Sequence, residues 1–364
     1  MPETVPLTTD QSNTAFERKG VSILSPLRYP GSKRRLASYV EQAIQNNGLH
    51  PSIFVEPFAG GASVALQLLS NKVVDNVVLA DLDPLIADFW ECVFSDSEWL
   101  IEQVSTIEIT VEQWCRFKRS TSTDKRDRAL ACLFLNRTSF SGIMAPQVGP
   151  IGGWGQKSDY KIDCRFPRAT IIKRLQQAAR LKDKVEVWNL SWDETIAQVQ
   201  TRYAQQQSEG TVFFYFDPPF FEKADKLYAH YFNYYDHVVF RDAVIALQDP
   251  WILSYDVDKK VHELYDKAAQ DRLLVEVEVL YSTAESAGSK PVKEIILTNL
   301  RCLPKENRLW RTSEEWSPSK ANGHSNVNGT NDKNTTAVGS DPIMLNQLPH
   351  HPKATPTYNV ANSL

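Results

Sequence analysis

The chain has 364 residues, 42% of them hydrophobic and nine of them tryptophan, enough for one large core or a core with an insertion. Its five cysteines, at 92, 115, 132, 164 and 302, show no CxxC or Cys/His metal spacing, which points to reduced thiols in a cytoplasmic protein rather than a disulfide framework. No signal-peptide pattern or apolar run of transmembrane length is present, and a formal charge of −4 argues against a globally basic chain.

Residues 1–20 are polar and irregular and read as a flexible arm. Leu27-Arg28-Tyr29-Pro30-Gly31-Ser32-Lys33 then turns into a helical pattern at Leu36, Tyr39, Val40, Ala43 and Ile44. Ile53-Phe54-Val55 reads as a buried strand, followed by the glycine turn Glu56–Ser63 and a helix over Val64–Leu69. Val77–Ala80 is a second strand, ending in Asp81-Leu82-Asp83. Strand, glycine turn, helix and strand ending in an acid make one βαβ unit. Residues 84–184 are mostly helical in pattern, interrupted by the Gly/Pro/Trp-rich stretch Ser139–Tyr160. Val185–Trp188 returns to the sheet, and Val212–Phe216 is a fully apolar central strand. An aromatic segment, Tyr228–Phe240, opens a helix, and Trp251–Tyr255, Leu273–Tyr281 and Val292–Leu297 are further strands. From Ser317 the composition shifts to Asn, Thr, Ser, Pro and Gly, with one aromatic, and the tail is expected to be disordered.

Two stretches carry chemistry. The first is Asp217-Pro218-Pro219-Phe220, which closes the central strand. Proline cannot continue a sheet ladder, so the strand must stop there in a stiff turn with an acid at its base and an aromatic at its rim. Ligands in open α/β sheets bind at that edge, although a lone DPP is more often a strand-ending turn with an N-cap aspartate. The second is the turn Phe54-Val55-Glu56-Pro57-Phe58-Ala59-Gly60-Gly61-Ala62-Ser63, whose glycines let backbone N–H groups approach a ligand. The acid precedes the turn, which suits a cationic or amino end better than a pyrophosphate. Asp81 is placed to accept from a ribose diol. S-adenosylmethionine meets both demands; a dinucleotide and a plain structural turn are the rivals. A third feature is charge. Residues 111–184 hold sixteen Lys/Arg against six Asp/Glu, a local +10 that leaves −14 for the remainder. Such asymmetry marks either a segment that meets a polyanion or a solvated helical surface.

The order RYPGSK, FVEPFAGG, LADLD, LNRTSFSG, DPPF, running from Leu27 to Leu300, resembles the Dam-like class of DNA adenine methyltransferases. The resemblance implies an α/β fold: a Rossmann-like, S-adenosylmethionine-dependent methyltransferase sheet with a mainly helical DNA-recognition insertion. Its boundaries would be a catalytic domain over 21–83 and 185–311, a target-recognition insertion over 84–184 and a tail over 312–364. It further implies that Tyr29 and Lys33 help enclose the cofactor, that Phe58 and Gly60 belong to its binding turn, and that Asp81 takes its ribose side. Asp217 matches the catalytic aspartate, which also touches the cofactor side. Arg137 matches a phosphate-contacting arginine and Phe140 an aromatic that wedges between bases. Implied too are a monomer acting on duplex DNA in the cytoplasm, associated with the nucleoid through that DNA, and a place for a cognate restriction endonuclease as partner.

The chemistry this assigns to DPPF follows from adenine's amine, whose lone pair is delocalised into the ring. Asp217 and the Pro218 carbonyl can accept its two N–H bonds and localise that pair, with Pro218 and Pro219 fixing the acceptors. The base must leave the duplex to be reached, and Phe220 offers it a stacking face. No metal is required. Three positions depart from the class. Phe220 stands where tyrosine is usual, and Ser191 where many relatives carry an acid, for which Asp193 could substitute. Ala145 stands where readers of GATC place an arginine, so Gly149–Lys157 is either a different reading loop or a structural Trp/Gly turn. Methylation of another planar amine, such as cytosine N4 or an RNA base, and a non-catalytic DNA-binding module are the alternative functions.

Overall fold

A computed structural model describes residues 23–28, 33–203, 212–221, 231–266, 272–279 and 291–310. Tyr29, the N-terminal arm and the Asn/Thr-rich tail lie outside these residues. Seven strands form one mixed sheet in the order β3-β2-β1-β4-β5-β7-β6. They are β1 (Ile53–Glu56), β2 (Asn76–Ala80), β3 (Val185–Trp188), β4 (Val212–Phe216), β5 (Trp251–Asp256), β6 (Leu273–Val279) and β7 (Val292–Thr298). The first five in this order run parallel; β7 lies antiparallel between β5 and β6.

The sheet's centre is apolar on both faces, as a parallel sheet covered by helices must be. All five residues of β4 are buried. Their side chains alternate across the sheet, so Phe213 and Tyr215 join Phe54, Val77 and Leu79 on one face, while Phe214 and Phe216 join Val55, Val78 and Ala80 on the other. The rings stack within each face: Phe54 lies 5.8 Å from Phe213, and Phe214 lies 5.6 Å from Phe216. Each fully buried phenylalanine contributes about 1.5–3 kcal/mol.

On the first face lie α1 (Ala37–Asn46), α2 (Ser63–Ser70) and the helices that connect β2 to β3: α3 (Pro84–Ser95), α4 (Ser97–Thr106), α5 (Val111–Lys118), α6 (Lys125–Thr138) and α7 (Arg168–Ala179). Helix α3 starts as its sequence dictates, with Asp83 as N-cap accepting from Leu85 N at 2.9 Å and Pro84 in the first turn. Helix α6 is buried continuously from Ala129 to Thr138, and Phe134 on it shares one apolar cluster with Trp90 of α3 and Phe213 of the sheet. The insertion therefore has no separate core. The other face carries α8 (Trp192–Tyr203), α9 (Tyr234–Ala246) and α10 (Lys259–Tyr265). Helix α9 begins in a capping box in which Asn233 and Asp236 accept from each other's backbone N–H. Among the described residues no helix is long and apolar enough to cross a membrane.

Candidate active site

The strand order reverses at β1 and β4, and the carboxyl ends of β1, β2 and β4 present Glu56, Asp81 and Asp217 at that switch point. The glycine turn after β1 is tied down by Asp81 and Trp90. Asp81 Oδ2 accepts from Gly60 N at 2.9 Å, and its Oδ1 accepts from Asp83 N at 2.9 Å. Trp90 Nε1 donates to Gly60 O at 2.9 Å. Gly60 adopts φ +42°, which a side chain would strain. Phe58 is half-buried, edge-on to Phe232 and Phe240. Glu56 is buried and accepts from Ala65 N at 3.2 Å. Burial pushes its carboxyl well above the usual range, and its backbone hydrogen bond only partly offsets this. Asp81 is pushed up to about 7, chiefly by burial and then by Asp83.

Asp217 ends β4, and its two oxygens are in different positions. Oδ1 receives Lys33 Nζ at 3.1 Å and Ser254 Oγ at 3.0 Å. Oδ2 has no hydrogen-bond partner among the described residues, and the side chain is 26% exposed. Behind Oδ1, Ser254 Oγ lies 2.9 Å from Tyr215 Oη, so β4 and β5 jointly fix the carboxylate. Lys33 is only 4% exposed and is shared with Glu294 of β7, at 3.2 Å from Oε1 and 3.0 Å from Oε2. Burial acts to lower the lysine pKa, but the Asp217 and Glu294 carboxylates outweigh it and hold the ammonium charged well above the usual value. The Asp217 carboxyl is raised by burial against the downward pull of Lys33 and Ser254.

Pro218 is buried; Pro219 and Phe220 are partly exposed, and Lys33 Nζ lies 5.5 Å from the Phe220 ring centroid. The next residue, Phe221, stacks on His237 at 4.2 Å, and His237 Nδ1 lies 2.8 Å from Tyr255 Oη. Burial lowers His237 to about 4, so this buttress beneath the rim is neutral.

Around the switch point burial raises the carboxyls of Glu56, Asp81, Asp217 and Glu294, and Lys33 pairs with Asp217 and Glu294. A cationic ligand would favour their ionised forms, whereas a pyrophosphate would oppose them.

The profile of the D12 class N6 adenine-specific DNA methyltransferases matches residues 29–283, well over half of the chain. The chain belongs to this family. A type II methyltransferase, M.MjaIII, of Methanocaldococcus jannaschii is 22% identical over 213 residues, covering 53% of this chain and 68% of that protein. A DNA adenine methylase of Haemophilus influenzae is 27% identical over 124 residues, covering 32% of this chain and 41% of that one.

In this methyltransferase the insertion is joined to the N-terminal segment by Asn136. Its Oδ1 accepts from Arg28 N at 2.6 Å, and its Nδ2 donates to Arg28 O at 3.2 Å and Gly142 O at 3.0 Å. Gly142 has φ +76° and is so close that a Cβ would fall on the Arg28 carbonyl oxygen. Phe140, held in this turn by Gly149 O, is 65% exposed.

Arg137, which the resemblance assigns to a phosphate contact, is 4% exposed here, and its Nε and Nη2 donate to Pro26 O. It lies on a helix turn that is buried all round, so its guanidinium has no open face for a phosphate in this conformation. Burial, then Arg174 and Arg28, lower it to about 9. Positive charge nevertheless gathers here. Arg28 is lowered by burial and then by Arg165, and Arg174 by burial and then by Arg34, with no carboxylate among the causes for either.

At the other departures, Ser191 is the N-cap of α8. Its N and Oγ contact Glu194 Oε2 at 2.9 and 2.7 Å, and Asp193 is exposed in the first turn. Ala145 is buried, and its carbonyl, with that of Met144, accepts from Lys118 Nζ at 2.7 and 2.8 Å. In the Gly149–Lys157 stretch, the Gln156 side chain donates to Ile151 O and Gly153 O and accepts from Ile162 N. That bracing leaves Trp154 on the surface, edge-on to Trp114.

The sequence motifs did not identify Glu294, Ser254 or Asn136. A lone acid inside the apolar run Lys293-Glu294-Ile295-Ile296-Leu297 was the available signal for Glu294.

Proposed function

We propose that this methyltransferase transfers the methyl group of S-adenosylmethionine to the exocyclic N6 of an adenine flipped out of duplex DNA. The supporting observation is Asp217 at the end of the central strand, its Oδ1 held by Lys33 and Ser254, with the same Lys33 ammonium 5.5 Å from the Phe220 ring centroid. When bound, the cofactor supplies a sulfonium methyl to a nitrogen lone pair, and the C–S bonding pair returns to sulfur. The residues suited to hold it are Asp81 for the ribose hydroxyls, Phe58 and Gly60 of the turn, and Glu56 with Asp217 for the positive charge; Tyr29 and Lys33 close the pocket.

The protein's own contribution is positioning. An amine N–H donated to Asp217 Oδ2 and the other to the Pro218 carbonyl turn the nitrogen lone pair out of conjugation. Because Lys33 and Ser254 already fix Oδ1, little reorganisation is left for the transition state. The proton that the amine sheds goes to the same carboxylate or through it to water. Phe220 receives the face of the flipped base, and the absent hydroxyl removes a polar contact but not the stacking surface. Phe140, exposed on the insertion, is suited to fill the gap left in the duplex. The phosphate contacts fall to the arginines around Arg28 and Arg165 rather than to Arg137.

The test is incubation with labelled cofactor and mixed-sequence duplex DNA, followed by nucleoside analysis. N6-methyladenine is expected. N4-methylcytosine would assign the other amine, and DNA binding without incorporation would leave a non-catalytic module.

A further inference from the structure

Glu294 is a buried acid in the sheet, 2% exposed, whose cross-strand neighbours are Asp256 on β5 and Val277 on β6. Burying a carboxylate is unfavourable unless something holds it. One ammonium, Lys33, is divided between it and Asp217, at 3.0 and 3.1 Å. The same ammonium sits near the Phe220 ring, in the region where an amine donating to Asp217 would stand. A lysine with Asp217 as its only anion would be drawn fully onto it and would cover both carboxylate oxygens. In the structure its nearest Asp217 atom is Oδ1, at 3.1 Å, and Glu294 Oε2 draws it equally close, at 3.0 Å.

We propose that Glu294 is a positioning residue for methyl transfer: by taking part of the Lys33 ammonium, it confines that ammonium to Asp217 Oδ1 and keeps Oδ2 open for the adenine amine. The inference rests on the reading of Asp217 as amine acceptor. It makes Glu294 act through Lys33, without contact to substrate. The groups around this pair come from every neighbouring element: Glu56 of β1, Tyr215 and Asp217 of β4, Tyr255 and Asp256 of β5, and Lys33 itself. Among the groups named, Lys33 is the cationic one. Removing the Glu294 charge therefore both deprives Asp217 of a negative neighbour and gives it the whole lysine. Both changes favour the ionised carboxylate, so they lower its pKa.

Two effects of opposite appearance follow for Glu294→Gln, which keeps shape and volume. On the plateau kcat falls about tenfold or more, because a fully engaged Asp217 is a poorer and more obstructed acceptor. At the same time the acid limb of the kcat–pH profile moves to lower pH, by roughly one unit. The dissociation constant for duplex DNA stays within about twofold, since no DNA contact is touched. Glu294→Asp keeps the charge and should return the limb to its wild-type position and recover most of kcat. Lost packing alone would lower kcat and melting temperature without moving the limb.

The experiment measures kcat against pH with saturating labelled cofactor and duplex, alongside thermal melts, for wild type and both variants. A lower plateau with a displaced limb in Glu294→Gln, reversed in Glu294→Asp, supports the inference. An unmoved limb, wild-type kcat in the Gln variant, or failure of both variants to fold overturns it while leaving the proposed function intact. A wild-type chain that methylates no duplex overturns both together.

Discussion

Replacing Lys33 by methionine removes the cation that Asp217 and Glu294 share and leaves the stem's volume filled. At an effective dielectric near 20, each contact of about 3 Å represents roughly 5 kcal/mol of gross attraction, most of it offset by desolvation. Removing one partner of a buried ion pair costs about 3–5 kcal/mol, because the remaining charge is uncompensated. Two carboxylates are left here, so the upper part of that range is expected at pH 8.

The loss is pH-dependent. Without Lys33, desolvation and mutual repulsion raise both folded-state carboxyl pKa values above their unfolded values. The folded state then binds more protons than the unfolded one, so stability falls as pH rises. That stability is fully present below the unfolded carboxyl values near 4 and is lost as pH rises through the folded ones. In the wild type Glu294 is raised to about 7 by burial even against Lys33, and the variant's value lies higher. Urea unfolding of both chains at pH 5 and pH 8 checks this. The destabilisation should be largest at pH 8 and should shrink by about 2 kcal/mol or more at pH 5. A loss equal at both values, or below about 1 kcal/mol at pH 8, would refute the account of the cluster.

Three further outcomes follow. Arg165→Ala should lower the slope of log affinity for duplex DNA against log salt by about one, whereas Arg137→Ala should leave the slope unchanged and lower stability by about 2–4 kcal/mol, through a lost buried hydrogen bond and a cavity. Titration at several salt concentrations with parallel melts separates the two. Gly142→Ala should destabilise the enzyme by more than about 1 kcal/mol, since the site combines positive φ with contact to Arg28 O; a melting temperature equal to wild type would contradict this. Phe140→Ala should leave stability within about 0.5 kcal/mol and reduce turnover on duplex far more than on a substrate with an abasic site opposite the target, where less unpairing is needed.

The sheet was legible because its strands are short apolar runs that end in acids or turn residues. The five buried residues of β4 and the stop at Pro218 left little freedom, and the glycine turn fixed the β1–β2 unit. Less legible was what each polar residue faces. Arg137 matches its motif, but a helix buried over ten consecutive positions turns it inward, and that rotation depends on packing against α3 and α5, far away in sequence. Ser191 was read as a missing acid, although Ser191-x-x-Glu194 is a capping box visible in the sequence. Glu294 could not be placed, because its burial comes from β5 and β6 on either side and its partner lies 261 positions away.

Whether Asp217 activates an adenine amine is tested most directly by single-turnover methyl transfer to duplex DNA by wild type and Asp217→Asn, with DNA and cofactor affinities determined for both. An asparagine keeps the shape but cannot accept the shed proton and offers a weaker acceptor. N6-methyladenine is expected from the wild type, and a rate at least roughly 10²–10³-fold lower from the variant, with DNA affinity retained. An Asp217→Asn chain that methylates adenine at close to the wild-type rate would contradict that activation.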